Sequence, residues 1–171
     1  MMKTSSLLVV LFPLLAGCLG PKVATDLLAK VERQETPLSP AAAVVQVTIN
    51  PDINNSEELD VSVRQSLEIA LANANVFGAD SARPCRIDAH ILIASQSAFS
   101  FGSFEGKLEI HYAVHDPAGR QLLDQKIHTI AGSDTSYFMG AARHRRARAC
   151  NMSKNVLEFV DLLVKRLKQK G

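Results

Sequence analysis

Apolar positions recur at helical spacing in two stretches of the chain and alternate at strand spacing in several others. Leu59, Val63, Leu67, Ala70, Leu71 and Ala74 lie on one face of a helix. Asn55 precedes that stripe as an N-cap, Glu58 follows it as the partner in a capping box, and Gly78 stands after Val76-Phe77 as a stop. A longer stripe, Ala149, Met152, Val156, Phe159 and Leu163, predicts a helix from about Ala141 to Lys168. Between them, Ile87, Ala89, Ile91 and Ile93 alternate with Asp88 and His90. Leu108, Ile110, Tyr112 and Val114 likewise alternate with Lys107, Glu109, His111 and His115. Asp116-Pro117-Ala118-Gly119 carries turn chemistry, and Leu122 to Ala131 makes a returning strand. Ahead of the first helix, Val44 to Ile49 is a β-branched strand ended by Asn50-Pro51. The order β-α-β-β-β-α predicts an α+β two-layer sandwich, an antiparallel sheet of about four strands with two helices on one face.

The N-terminus has a different pattern. Met1-Met2-Lys3 is a short positive start, Leu7 to Leu15 is an apolar run broken only by Pro13, and Ala16-Gly17-Cys18 follows. This is the layout of a secretory signal; the run falls short of the roughly 20 apolar residues that span a bilayer. Leu15-Ala16-Gly17-Cys18 resembles the lipobox of bacterial lipoproteins. The resemblance implies cleavage before Cys18 and acylation of that cysteine, the covalent lipid being the only prosthetic group expected. Leu19-Gly20 after the cysteine, where an Asp would mark inner-membrane retention, resembles the outer-membrane class. The expected organisation is a signal peptide over 1–17, a lipidated tether over 18–40 and one α+β domain over 41–171. In the tether, Val23, Leu27, Leu28 and Val31 fit either a short amphipathic helix or a spacer. Fully extended, that stretch would reach about 70 Å. With the lipobox, the element order is similar to that of small outer-membrane lipoproteins of Gram-negative bacteria, lipopolysaccharide-assembly lipoproteins among them.

Composition narrows the function classes. The chain is 47% apolar and 21% charged, with a formal charge of +2. Those values describe one globular domain and argue against a nucleic-acid-coating protein. Outside the lipobox there are two cysteines, Cys85 and Cys150, which an oxidising compartment would favour as a disulfide, two buried thiols being the alternative.

Three groups of side chains carry candidate chemistry. By alternation, His90, His111 and His115 share the outward face of adjacent strands, His90 opposite His111 or His115 depending on register. They are weak metal candidates, since such residues more commonly decorate a solvated sheet face. Arg143, Arg145, Arg146 and Arg148, with His144 among them, crowd the start of the last helix, where the macrodipole disfavours cations. Such a run fits an anion or partner contact, or else a solvated face paired with Asp124, Asp134 or other carboxylates. Gly102 to Lys107 has one residue too few between its glycines for a P-loop, and the common hydrolase and dinucleotide signatures are missing.

The sequence therefore predicts a periplasm-facing outer-membrane lipoprotein acting without catalysis as a binding or assembly accessory. It would be held to the membrane by its lipid and contact an envelope protein or anionic glycolipid. A lipid or small-molecule carrier would need an apolar cavity of several hundred Å³. An envelope transferase would need titratable groups converging in a cleft.

Overall fold

The computed structural model describes residues 22–55, 57–96, 105–132 and 140–169. Its elements are α1 (Thr25–Leu28), β1 (Ser39–Ile49), α2 (Leu59–Ala74), β2 (Phe77–Gln96), β3 (Glu105–His115), β4 (Gln121–Gly132) and α3 (Gly140–Lys168). The strands form one sheet in the order β1-β2-β3-β4, and the α+β two-layer sandwich is the architecture observed. The sheet is mixed and not wholly antiparallel: β1 pairs with β2 in parallel, while β2-β3 and β3-β4 are antiparallel. Chain length between strands explains the difference. Short links make hairpins, whereas β1 reaches β2 through α2, and a helical crossover returns the chain in the direction it started.

Both predicted stripes are buried. Leu59, Val63, Leu67, Ala70, Leu71 and Ala74 of α2, and Ala149, Met152, Val156, Phe159 and Leu163 of α3, close over Ile87, Ala89, Ile91, Leu108, Ile110, Tyr112 and Val114. The ends of α2 differ in detail from the sequence pattern. Asn55 Oδ1 does accept the Leu59 N–H, at 2.7 Å, but Glu58 stands in the left-handed region between them. At the other end Asn75, φ 53°, closes the helix, so Gly78 is not its stop. Gly78 lies in β2 against Pro40, where a Cβ would come within 2.3 Å of the Pro40 carbonyl oxygen.

A buried polar seam sets α3 on the sheet. Tyr112 Oη donates to Asn155 Oδ1 at 2.8 Å, and Asn155 Nδ2 donates to Ile127 O at 3.0 Å and Thr129 Oγ1 at 3.1 Å. One turn earlier, Asn151 Nδ2 donates to Gly106 O at 2.7 Å. The Tyr112 ring stacks on Phe159 with centroids 4.2 Å apart. Nearby, between Leu59, Leu108 and Asn151, the space at the helix–sheet seam is about 20 Å³, room for a water and not for an acyl chain.

The stretch expected as a tether is, in its described part, laid against the helices. Ala24 and Leu28 are fully buried, and Val23, Val31 and Leu38 pack on the core. Backbone and side-chain bonds pin the strap to the end of α2: Gln34 N to Ala74 O at 2.9 Å, Asn75 Nδ2 to Gln34 O at 3.0 Å, and Leu38 N to Val76 O at 3.0 Å. The apolar residues that allowed a short helix are there to be buried, and only Thr25–Leu28 is helical.

Removing one partner from the seam leaves the other buried and unsatisfied, so Asn155→Ala is expected to destabilise the fold by about 1–3 kcal/mol. Tyr112→Phe should cost less, because Asn155 Oδ1 alone is orphaned. Urea unfolding of the two variants beside the parent checks both the size and the order.

Candidate functional site

Because α2 and α3 pack on one side of the sheet, the other side is uncovered among the described residues. The observed register arranges it in rows. Thr48, His90, His111 and Lys126 are consecutive partners across the four strands; Gln46, Asp88, Ala113 and Asp124 form the next row. Toward the other end, Ile93, Glu109 and His128 follow one another after a bulge between Ile91 and Ile93. Exposed Val44, Ile93 and Ile130 add apolar surface.

His90 thus stands opposite His111, and His115 opposite Arg86. His90 and His111 are each hydrogen-bonded to a neighbour. His90 Nδ1 lies 2.8 Å from Thr48 Oγ1, and His111 Nε2 lies 2.7 Å from Asp124 Oδ1. That bond, with a second from Gln121 Nε2 at 2.6 Å, holds the Asp124 carboxyl below the usual carboxylate range. His115 Nδ1 is buried without a hydrogen-bond partner, 3.7 Å from Asp88 Oδ2, and Arg86 Nε donates to the same oxygen at 2.8 Å. His128, which the alternation of the last strand places outward, joins the face with its Nδ1 3.5 Å from Glu109. Among the described residues no group of three or more His, Cys, Asp or Glu side chains could hold a metal ion. At the end of the face farthest from Lys22, Val44, Arg86, His115 and Pro117 border an open groove of about 370 Å³.

The basic start of α3 is put to use within the chain. Arg146 grips Asp26 through two bonds, Nη1 to Oδ1 at 3.0 Å and Nη2 to Oδ2 at 2.7 Å. This pair lowers the Asp26 pKa from 3.8 to about 2. Arg148 Nη1 donates to Glu57 Oε2 at 2.7 Å, and Lys22 Nζ to Glu58 Oε2 at 2.7 Å. The carboxylates that meet Arg146 and Arg148 are therefore those of the strap and of the loop before α2. Asp124 is occupied by His111, and Asp134 lies outside the described residues. Arg145 borders a small pocket with Lys22, Glu57 and Arg148, while Arg143 is partly buried one turn before Ala147. Burial, and then the charge of Arg148, push the His144 pKa down.

The expected bridge between Cys85 and Cys150 is not formed, and the sheet shows why. Cys85 precedes Arg86, the partner of His115, whereas Cys150 precedes Asn151, which bonds Gly106 at the opposite end of β3. The nine residues from Gly106 to His115 span about 30 Å of strand, and a disulfide requires Cα atoms within about 7 Å. Both cysteines belong to elements of one sandwich, but to opposite ends of it. Cys85 is buried, its Sγ 3.7 Å from Ser39 Oγ, and burial pushes its thiol pKa up, away from the reactive thiolate. The lipobox and Cys18 lie outside the described residues.

No protein family and no curated protein matches this sequence. Solved structures do share the fold. A Xanthomonas campestris protein of family DUF330 superposes with a TM-score of 0.56 at 11% identity, over 82% of this chain and 94% of that one. A candidate lipoprotein from Caulobacter crescentus gives 0.51 at 12% identity, over 86% and 96%. The hypothetical protein CT253 of Chlamydia trachomatis gives 0.53 at 9% identity, over 74% and 98%. At these identities the likeness is one of fold. Among the described residues no helix is long and apolar enough to cross a membrane.

Three outcomes are expected of this geometry. Non-reducing peptide mapping should recover the Cys85 and Cys150 peptides as separate species. Asp26→Asn should speed amide exchange across 23–34 while lowering global stability by less than about 1 kcal/mol, because the Asp26 carboxylate is open to water and the asparagine that replaces it still offers Arg146 an acceptor. The depressed Asp26 pKa gives the same clamp a pH dependence: its contribution is complete above pH 3.8 and fades as the pH falls toward about 2. Exchange in the strap of the parent, followed through that window, should rise to meet that of the variant.

Proposed function

We propose that this chain is a lipid-anchored outer-membrane protein facing the periplasm, and that it serves there as a non-enzymatic binding or assembly accessory. The observation that carries the reading is the docked strap. Between Cys18 and Lys22 lie four peptide steps, at most about 14 Å of chain. From Lys22 onward the chain is fastened, through Glu58, the burial of Ala24 and Leu28, and Arg146 on Asp26. A lipid on Cys18 would hold the sandwich by one end, the end where α2 and α3 begin. In that posture Arg143 and Arg145 stand near the lipid phosphates, and the uncovered sheet face rises from the bilayer with the 116–120 turn outermost.

The uncovered face suits contact with another molecule. It combines charges of both signs, four imidazoles and exposed Val44, Ile93 and Ile130, on a backbone held rigid by the core behind it. The fold shared with a candidate lipoprotein of Caulobacter crescentus agrees with an envelope role. Lipopolysaccharide phosphates, acidic lipids and acidic protein loops are the partners whose chemistry meets the arginines.

Cys18→Ser is expected to leave the leader uncleaved and abolish acyl labelling. For posture, the acylated protein should be reconstituted in vesicles with a headgroup quencher. A fluorophore on Thr25→Cys, exposed on the strap, should then be quenched several-fold more than one on Ala118→Cys in the far turn. Equal quenching at the two sites would refute the short leash.

A further inference from the structure

The sheet has two edges, β1 and β4, and they are protected very differently. Along β4 the outward face carries Asp124, Lys126 and His128, and α3 places donors on its carbonyls. Arg166 Nε reaches Leu122 O at 3.2 Å, Asn155 Nδ2 reaches Ile127 O at 3.0 Å, and Lys154 Nζ reaches Ile130 O at 3.3 Å. β1 reads Ser-Pro-Ala-Ala-Ala-Val-Val-Gln-Val-Thr-Ile, without a charged residue. Its one proline and its register irregularities are confined to Ser39–Ala43, and Val44 to Ile49 runs in unbroken register along β2.

The open hydrogen-bonding groups follow from that register. Ile49 is the partner of Ile91, and the Asn50 N–H donates to Ile91 O at 2.9 Å. In a parallel ladder this directs the backbone groups of the even-numbered residues toward β2 and those of Val45, Val47 and Ile49 toward the open edge. Among the described residues no backbone group across that edge pairs with them. Natural sheets shield such edges with charges, prolines, bulges or a covering helix. Val44 to Ile49 has none of these, and Val44 is 45% exposed.

We propose that the β1 edge is a strand-docking site, at which an extended, uncharged, β-branched segment of another envelope protein adds to the sheet beside β1. The envelope setting, and the choice of a foreign strand over a second copy, rest on the function proposed above. Antiparallel pairing of two β1 strands would turn one molecule end for end, and a leash of about 14 Å could not then bring both lipids to one bilayer. An incoming strand takes its affinity from the outward N–H and C=O groups of Val45, Val47 and Ile49 and its selectivity from Val44, Gln46 and Thr48. Those side chains offer no charge to meet one, so a charged residue beside them would gain no cross-strand ion pair, whereas a β-branched one would pack on Val44.

The test combines amide exchange on the purified acylated protein with photo-crosslinking in intact cells. In the purified protein, Val45 and Val47 amides should exchange at least about tenfold faster than those of Gln46 and Thr48. A photo-crosslinking residue at Gln46 should give one discrete adduct with another protein, and one at Lys126 of β4 should not. Val45→Pro removes an edge-facing donor that the fold does not use and should reduce the adduct at least tenfold; because the Val45 side chain packs on the core, its thermal midpoint should fall modestly. Where that variant folds poorly, Thr48→Lys adds the missing edge charge at an exposed position and should have the same effect. Slow exchange at Val45 and Val47, an adduct that survives both variants, or an adduct consisting of two copies of this chain would each overturn the proposal. The exchange pattern needs no lipid, so failure of the anchor leaves that arm intact and the two failures can be told apart.

Discussion

The placement of α3 governs what this molecule can present. Its 29 residues extend about 44 Å, long enough to lie in several registers on an apolar sheet face if greasy contact alone decided. Asn155 removes that freedom. Its amide is shared among Tyr112, Ile127 and Thr129 inside the core, and any other register would bury those groups without partners. Once α3 is seated on β3 and β4, and α2 beside it over β1 and β2, one sheet face is spent on the core and the other is left for contact. The same seating shields β4 and leaves β1 open.

Much of this is legible in the chain. The two helical stripes and the strand alternation identify the core almost residue by residue, because burial under one layer imposes periods of 3.6 and 2.0 on the choice of side chains. Alternation also sends His90, His111 and His115 outward, and applied to β4 it would have added His128. Strand direction is less visible. The parallel β1-β2 pair follows from the length of the connection, not from the residues of β1 themselves.

Long-range distance is where sequence reading fails. Cys85 and Cys150 each stand on an element of one sandwich, yet nothing in their spacing says that they occupy opposite ends of it. The arginines of α3 illustrate a related difficulty. A basic run at a helix start signals that some negative group should be near, but Asp26 is 120 residues away in sequence and lies in a stretch that reads equally as a short amphipathic helix or a spacer. Leu28 and Ala24 look like the scattered apolar residues of a linker until α2 and α3 are seen to leave a place for them. The strap is tertiary structure written in weak local signals.

That strap also determines how the molecule would carry load. A pull on the N-terminus does not act first on the sheet. It runs along the Lys22–Glu58 and Arg146–Asp26 clamps and then through the bonds of Gln34 and Leu38 to the end of α2, all before tension reaches Ser39. Membrane drag or a tug from a bound partner would therefore strip the strap from the helical layer while the four-stranded sheet, and whatever it holds, stayed whole.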